Sequence, residues 1–261
     1  MQILEEIIKQ KVREVDFRKS LKPITELEKS IWFSRKPYSM KTEISNNSKT
    51  SVIAEFKIKS PSKGVINDLV SVEEVTQKYI KAGAVGLSVL TDTLFFGGTN
   101  NDLISARYLH ECPILRKDFI IDEYQVIESK AIGADIILLI AAILSENRVK
   151  ELSGLAKSVG LEVLMEVHQK EELDKMNENI DIIGVNNRNL MTFAVDIQTS
   201  LDLAKLISPE FIKISESGIH TKEQVLKLKE AGYNGFLIGE NFMKEPDPGE
   251  ACKKFIDSLN Q

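Results

Sequence analysis

From about residue 51 to the end of the chain, short β-rich runs alternate with amphipathic stretches, and nothing interrupts the alternation. The runs fall near 51–57, 85–90, 113–117, 134–140, 161–167, 181–186, 211–216 and 235–239. Helical patterns lie between them, including Val72–Ala82, Glu123–Ala131, Glu146–Val159 and Thr221–Ala231. Gly83, Gly133, Gly160 and Gly232 stand at or just past the ends of these patterns, where a helix usually stops. Ser71 ahead of Val72-Glu73-Glu74 and Thr221 ahead of Lys222-Glu223-Gln224 have the spacing of capping boxes. Eight strand–helix units without a linker predict an α/β fold, a closed (β/α)₈ TIM barrel. The competing architecture, an open doubly wound sheet, needs a glycine-rich fingerprint after the first strand. Residues 57–64, KIKSPSKG, do not supply one.

The first 50 residues do not follow this rhythm. Ile3, Leu4, Ile7, Ile8, Val12 and Val15 recur at helical spacing, and a second helical stretch covers Ile24–Ile31. The reading is an N-terminal helical extension over 1–50, packed on the barrel, within one domain of residues 1–261. Polar Thr42–Thr50 is the expected linker into the first strand.

Composition narrows the function. A net charge of −5 argues against nucleic acid as a partner, since phosphate backbones select basic faces. No apolar run is long enough for a membrane span, and the charged N-terminus does not read as a secretory signal. Cys112 and Cys252 form neither a metal-ligand spacing nor a disulfide framework, and read as buried thiols of a reducing, cytoplasmic setting. Three histidines, none near another, offer neither a metal set nor a triad. No metal and no cofactor are expected.

The ends of the runs carry the chemistry. Side chains alternate along a strand, so in SVIAEFK (51–57) Val52, Ala54 and Phe56 share one face while Glu55 and Lys57 share the other. Lys117 ends PILRK, and Glu166 sits near the end of LEVLMEV. The expectation is an apolar face buried on one side and ionisable groups aimed the other way. Buried charges are costly unless paired or used, and barrel enzymes work at the C-terminal ends of their strands. That rim reads, in order, Glu55, Lys57 and Ser60-Pro61-Ser62; Lys117; Glu166; Asn186 and Arg188; Glu216-Ser217-Gly218; Gly239-Glu240-Asn241.

These motifs together resemble the indole-3-glycerol phosphate synthase family, in its monofunctional form. The stretches that carry the resemblance are IAEFKIKSPSKG (53–64), SVLTDTLFFGGTNNDL (88–103), PILRKDFIIDEYQ (113–125), IIGVNNRNLMTF (182–193), SESGI (215–219) and GENFM (239–243). Ile58 and Asn189 depart from the pattern, where a basic residue and an aspartate are common. The resemblance implies ring closure of 1-(2-carboxyphenylamino)-1-deoxyribulose 5-phosphate with loss of carbon dioxide and water. It implies Lys117 as general acid at the ketone oxygen and Glu166 as base in the dehydration, with capping of the Lys117 charge an alternative or added role. Lys57 holds the substrate carboxylate or acts as a second acid; the division between the lysines stays open. Glu55, paired with Lys57, and Asn186 are expected to complete the catalytic set, and Glu216 to orient Lys or Asn neighbours. Arg188, with Asn186 two residues earlier, faces the carboxylate or the ribulose hydroxyls. Phe96, Phe119, Leu138 and Ile140 resemble the aromatic-ring pocket.

For the phosphate, the loops after the last two strands are expected to offer backbone. Glycine lets main chain approach a ligand closely, which singles out Gly218 beside Ser217, and Gly239. The N–H groups at Glu240-Asn241 are expected to face the anion, with the Glu240 carboxylate turned away and Ser60 adding a hydroxyl. The expected partner is this phosphorylated small molecule, bound by a monomer. Two other functions stay open: another phosphosugar barrel enzyme, such as phosphoribosylanthranilate isomerase, and a phosphate-ligand binder without turnover.

Overall fold

Each predicted run becomes a strand, and the strands close on themselves. A computed structural model describes residues 2–261. Its barrel strands are β1 Ser51–Phe56, β2 Gly86–Leu90, β3 Ile114–Lys117, β4 Ile136–Ile140, β5 Glu162–Val167, β6 Ile182–Asn186, β7 Ile212–Glu216 and β8 Gly235–Ile238. All pair in parallel with their sequence neighbours, and β1 pairs with both β2 and β8, so that Ile53 lies beside Gly86 on one side and Leu237 on the other. Closure leaves the barrel itself no sheet edge to protect.

The expected one-sided burial is corrected. Outward residues such as Val52, Ala54, Phe56, Val163 and Met165 pack under the surrounding helices. Inward residues Ile53, Leu115, Leu138, Leu164, Ile214 and Leu237 form a second core inside the barrel. Parallel strands sandwiched between helices and barrel lumen bury both faces. The ionisable groups therefore share the inward face with aliphatics one layer deeper. Leu164 lies beneath Glu166, and Leu115 beneath Lys117.

The helix signals hold with adjustments. Gly83, Gly133, Gly160 and Gly232 all take positive φ after their helices. Thr221 makes a full capping box with Gln224. Ser71 accepts from the Glu74 N–H, but the Glu74 carboxylate pairs with Lys78 at 3.0 Å in place of the return bond. Between β5 and β6 there is only a 3₁₀ helix, Lys170–Lys175.

The extension is a strap from one barrel mouth to the other. Its first helix, Gln2–Leu21, brings Ile7 to the inner core at the C-terminal mouth. The Tyr124 hydroxyl donates to the carbonyls of Arg18 and Lys22, at 3.2 and 2.9 Å, so the strap descends along helix Glu123–Ala131. The second predicted helix is one turn, Ile24–Leu27. Arg35 meets Asp135 at 2.6 Å ahead of β4. The predicted linker at Thr42–Thr50 is corrected as well. Met40–Asn46 is a helix capped by Ser39, and Met40 and Ile44, four apart on one face, plug the N-terminal mouth. Only Asn47–Thr50 connects it to β1.

Candidate active site

The C-terminal mouth collects the ionisable strand ends into a paired array. Lys117 Nζ on β3 lies 2.8 Å from Glu166 Oε2 on β5 and 2.6 Å from Glu216 Oε2 on β7. Lys57, just past β1, meets Glu55 Oε1 at 3.0 Å, and the other Glu55 oxygen accepts from the Ser88 hydroxyl at 3.1 Å. Glu55, Glu166 and Glu216 are all buried. The site is crowded at two glycines, one on β6 and one just past β8. A Cβ at Gly184 would stand 2.3 Å from Glu216 Oε1, and one at Gly239 would stand 2.7 Å from Glu55 Oε1.

The electrostatics follow from the sharing of one ammonium. Burial opposes the charge on Lys117, but Glu166 and Glu216 outweigh it and hold the lysine charged far above its ordinary range. The two carboxylates then divide unequally. Burial pushes Glu166 up, yet Lys117 and His168 together bring it well below the usual range. Glu216 has Lys117 alone and a buried Oε1 without a hydrogen-bond partner, so burial dominates and its carboxyl is held above the usual range. His168 was not singled out by sequence reasoning. Its place two residues after Glu166, on the same side of the chain, was the available signal.

Arg188 and Glu240 correct an expectation. The Glu240 carboxylate does not turn away from the site; it takes the Arg188 guanidinium at 2.8 Å. The second Arg188 nitrogen donates to Ser62 Oγ at 3.4 Å. Ser62, not only Ser60, thus belongs to the site; Ser60 is buried, its hydroxyl 3.4 Å from that of Ser62. Asn186 Oδ1 accepts the Arg188 backbone N–H at 3.0 Å and bends the chain out of β6. Asn189 uses its side-chain oxygen to accept from Met191 and Thr192 N–H groups, 2.8 and 3.0 Å away, an acceptor role an aspartate would fill equally. After β7, Ser217 and Gly218 both take positive φ, and a Cβ on Gly218 would collide with Val195. A non-glycine residue in that conformation is a strained turn of the kind found at ligand sites.

Two basins open over this array. One is apolar, walled by Phe96, Phe119, Leu138 and Ile140, with Lys117, Glu166 and Glu216 in its lining. The rings of Phe96 and Phe119 lie 5.9 Å apart. Ile3, Leu4 and Ile7 of the first helix, Leu190 and Phe193 also line it, and none of these was expected. The other is polar, bordered by Lys63, Gly218, Gly239, Glu240 and Asn241. Glu55, Lys57, Ser62, Arg188 and Ser217 border both, so the basins are one continuous groove. Cys112 precedes β3 at the opposite mouth, and Cys252 lies on the C-terminal helix Pro248–Leu259. Burial pushes both thiols up to about 12. Among the described residues no helix is long and apolar enough to cross a membrane, and no cluster has the make-up of a metal site.

A family model described as indole-3-glycerol phosphate synthase matches residues 4–255. An indole-3-glycerol phosphate synthase of Bacteroides thetaiotaomicron is 48% identical over 257 residues, covering 98% of both chains. One from Caldanaerobacter subterraneus subsp. tengcongensis is 46% identical over 258 residues, again with 98% of each covered. Among solved structures, a chain of the tryptophan synthase complex from Pyrococcus furiosus superposes with a TM-score of 0.60 at 17% identity, over 81% of this chain and 98% of that one. At that identity the likeness speaks for the barrel alone.

Proposed function

Since the chain belongs to the indole-3-glycerol phosphate synthase family, we propose that the groove described above is where it performs that reaction. The enzyme closes the indole ring of 1-(2-carboxyphenylamino)-1-deoxyribulose 5-phosphate and releases carbon dioxide and water. The observation that carries the assignment of the site is the continuity of the two basins. An aromatic ring suits the apolar end, which Lys117 lines, and a phosphate suits the polar end, with Lys57 and Arg188 bordering both.

In the first step an aromatic carbon attacks the ketone, and negative charge grows on its oxygen. Lys117 meets that charge and donates a proton. An ammonium fixed in a water-poor site acts strongly there because it needs no reorganisation. Carbon dioxide then leaves, and its bonding electrons restore the aromatic ring. In the dehydration Lys57 protonates the departing hydroxyl, and Glu166 removes the proton from the ring. Two protons given and one taken leave one consumed, which balances loss of a carboxylate as neutral carbon dioxide. Glu216 anchors Lys117, and Glu55 anchors Lys57. Arg188 and Lys57 face the substrate carboxylate from the junction of the basins. Backbone N–H groups around Gly218, Gly239 and Asn241 take the phosphate, with Ser62 at its flank, whereas Ser60 lines only the apolar basin.

A cysteine-based sugar isomerase has no support, because neither thiol reaches the working mouth. Incubating the purified protein with the substrate while following carbon dioxide release and indole absorbance tests the reading. Product without carbon dioxide, or no turnover at all, would overturn it.

A further inference from the structure

We propose that His168 is a positioning residue for Glu166: an imidazolium, clamped by Glu172, that aims the Glu166 carboxylate and keeps it ionised through the acid step. The inference rests on the reading of Glu166 as the base.

β5 ends at Val167, so His168 emerges on the same side as Glu166. Its ring is nearly buried, with 11% of the side chain exposed. Nε2 lies 3.3 Å from Glu166 Oε1, and Nδ1 lies 3.5 Å from Glu172 Oε2. Glu172 is itself buried and fixed, because its Oε2 accepts the His168 backbone N–H at 2.7 Å. Neither ring nitrogen has a hydrogen bond of good geometry. A neutral imidazole carries one N–H and one lone pair. With a carboxylate on each side, that lone pair would face negative charge in a dry site. Only the doubly protonated ring suits both neighbours. Burial alone would lower its pKa, but Glu166 and Glu172 outweigh burial and push it up to about 9.

Nearby cations are engaged elsewhere. Lys117 holds the other oxygen of Glu166, and Lys175 donates to the carbonyls of Ala141 and Leu144 at 2.7 and 2.8 Å. Arg188 is paired with Glu240. Glu166 is therefore gripped at Oε2 by Lys117 and at Oε1 by His168. When Lys117 gives its proton to the ketone oxygen, its charge disappears from beside Glu166. A buried carboxylate losing its one counter-charge becomes more basic and would gain a proton from solvent, ceasing to be a base. His168 supplies the second counter-charge that prevents this until the dehydration needs a base.

Nitrogen-detected NMR of the wild-type enzyme should show both His168 ring nitrogens protonated at pH 8. A singly protonated ring at that pH overturns the proposal without any variant having to fold. His168→Gln should lower kcat roughly 10–100-fold, the range typical when a group orienting a working side chain is lost. KM should hardly move, and the acidic limb of the kcat profile should shift to higher pH as Glu166 loses a counter-charge. His168→Arg should restore much of the rate and of that limb. Glu172→Gln should move the loss of imidazolium, and a partial fall in kcat, to lower pH. A His168→Gln enzyme with lowered thermal stability but unchanged kcat and limb overturns the inference in favour of a packing role. Glu166→Gln separates the two readings. If it keeps its rate, the base assignment fails; if it is inactive while His168→Gln keeps the wild-type kcat and acidic limb, only the inference about His168 fails.

Discussion

Lys117 is asked to neutralise two carboxylates with one charge, and much of the site's behaviour follows from that shortage. Lys117→Ala should reduce kcat by about 10²–10⁴-fold, the usual worth of a positioned acid. Glu166→Gln should also cost rate more than affinity, and steady-state kinetics on each variant checks both. Glu216 carries the other side of the shortage. A carboxyl whose folded pKa is raised stabilises the fold in acid and loses that contribution as pH rises through the raised value. Glu216→Gln cannot ionise, so its stability relative to wild type should improve from pH 5 to pH 8, as read from urea midpoints. Arg188→Ala should raise KM and lower kcat, because a substrate contact is lost. It also releases the Glu240 carboxylate at the edge of the polar basin. Adding Glu240→Gln should recover part of the KM, and a double variant no better than the single would deny Glu240 that influence.

At the scale of elements, strands deliver the charged groups, and glycines on or just past the neighbouring strands make room for them. Gly184 on β6 looks like an ordinary strand residue in the sequence, yet any Cβ there would overlap Glu216 Oε1. Gly184→Ala should therefore push Glu216 off Lys117 and lower kcat by about 10²-fold, the lower end of what a misplaced acid loses. A crystal structure with Glu216 undisturbed, or an unchanged kcat, would refute it. The same variant should leave phosphate binding intact, because Gly184 does not border the polar basin.

The whole molecule is held by a closed ring of alternating charges that ties the extension to the catalytic strand. Lys11 meets Asp118 at 2.8 Å, Asp118 meets Arg116 at 3.2 Å, and Arg116 meets Glu128 at 2.7 Å. Glu128 then meets Arg18 at 3.0 Å, Arg18 pairs with Glu14, and Glu14 returns to Lys11 at 3.0 Å. Lys11 also reaches Asp92 at 2.9 Å. Burial works against its charge, but Asp118 and Asp92 raise its pKa. Removing one partner from a buried ion pair costs about 3–5 kcal/mol, so Lys11→Met should lose stability on that order in urea unfolding. We propose that the strap and barrel are one cooperative unit, which predicts a single transition for the variant as for wild type. An early separate transition from the first helix would contradict it.

Period and punctuation in the sequence were enough for the barrel. Eight β-rich runs, glycine stops and cap residues are local signals, and each acts within a few residues of itself. Position at the C-terminal ends of their runs likewise placed Glu55, Lys117, Glu166 and Glu216 on one rim, because where a strand ends is a local property. What crosses the barrel was not legible in the residues themselves; the pairing of Glu166 with Lys117 came only with the family resemblance. That Lys117 sits between Glu166 and Glu216 depends on β3, β5 and β7 facing one another across the lumen. That Glu240 turns to Arg188, that Ser62 meets Arg188 and that Lys11 is buried among aspartates depend on elements far apart in the chain. Whether burying a charge is costly or useful is decided by its partners, and the partners were chosen by closure of the barrel.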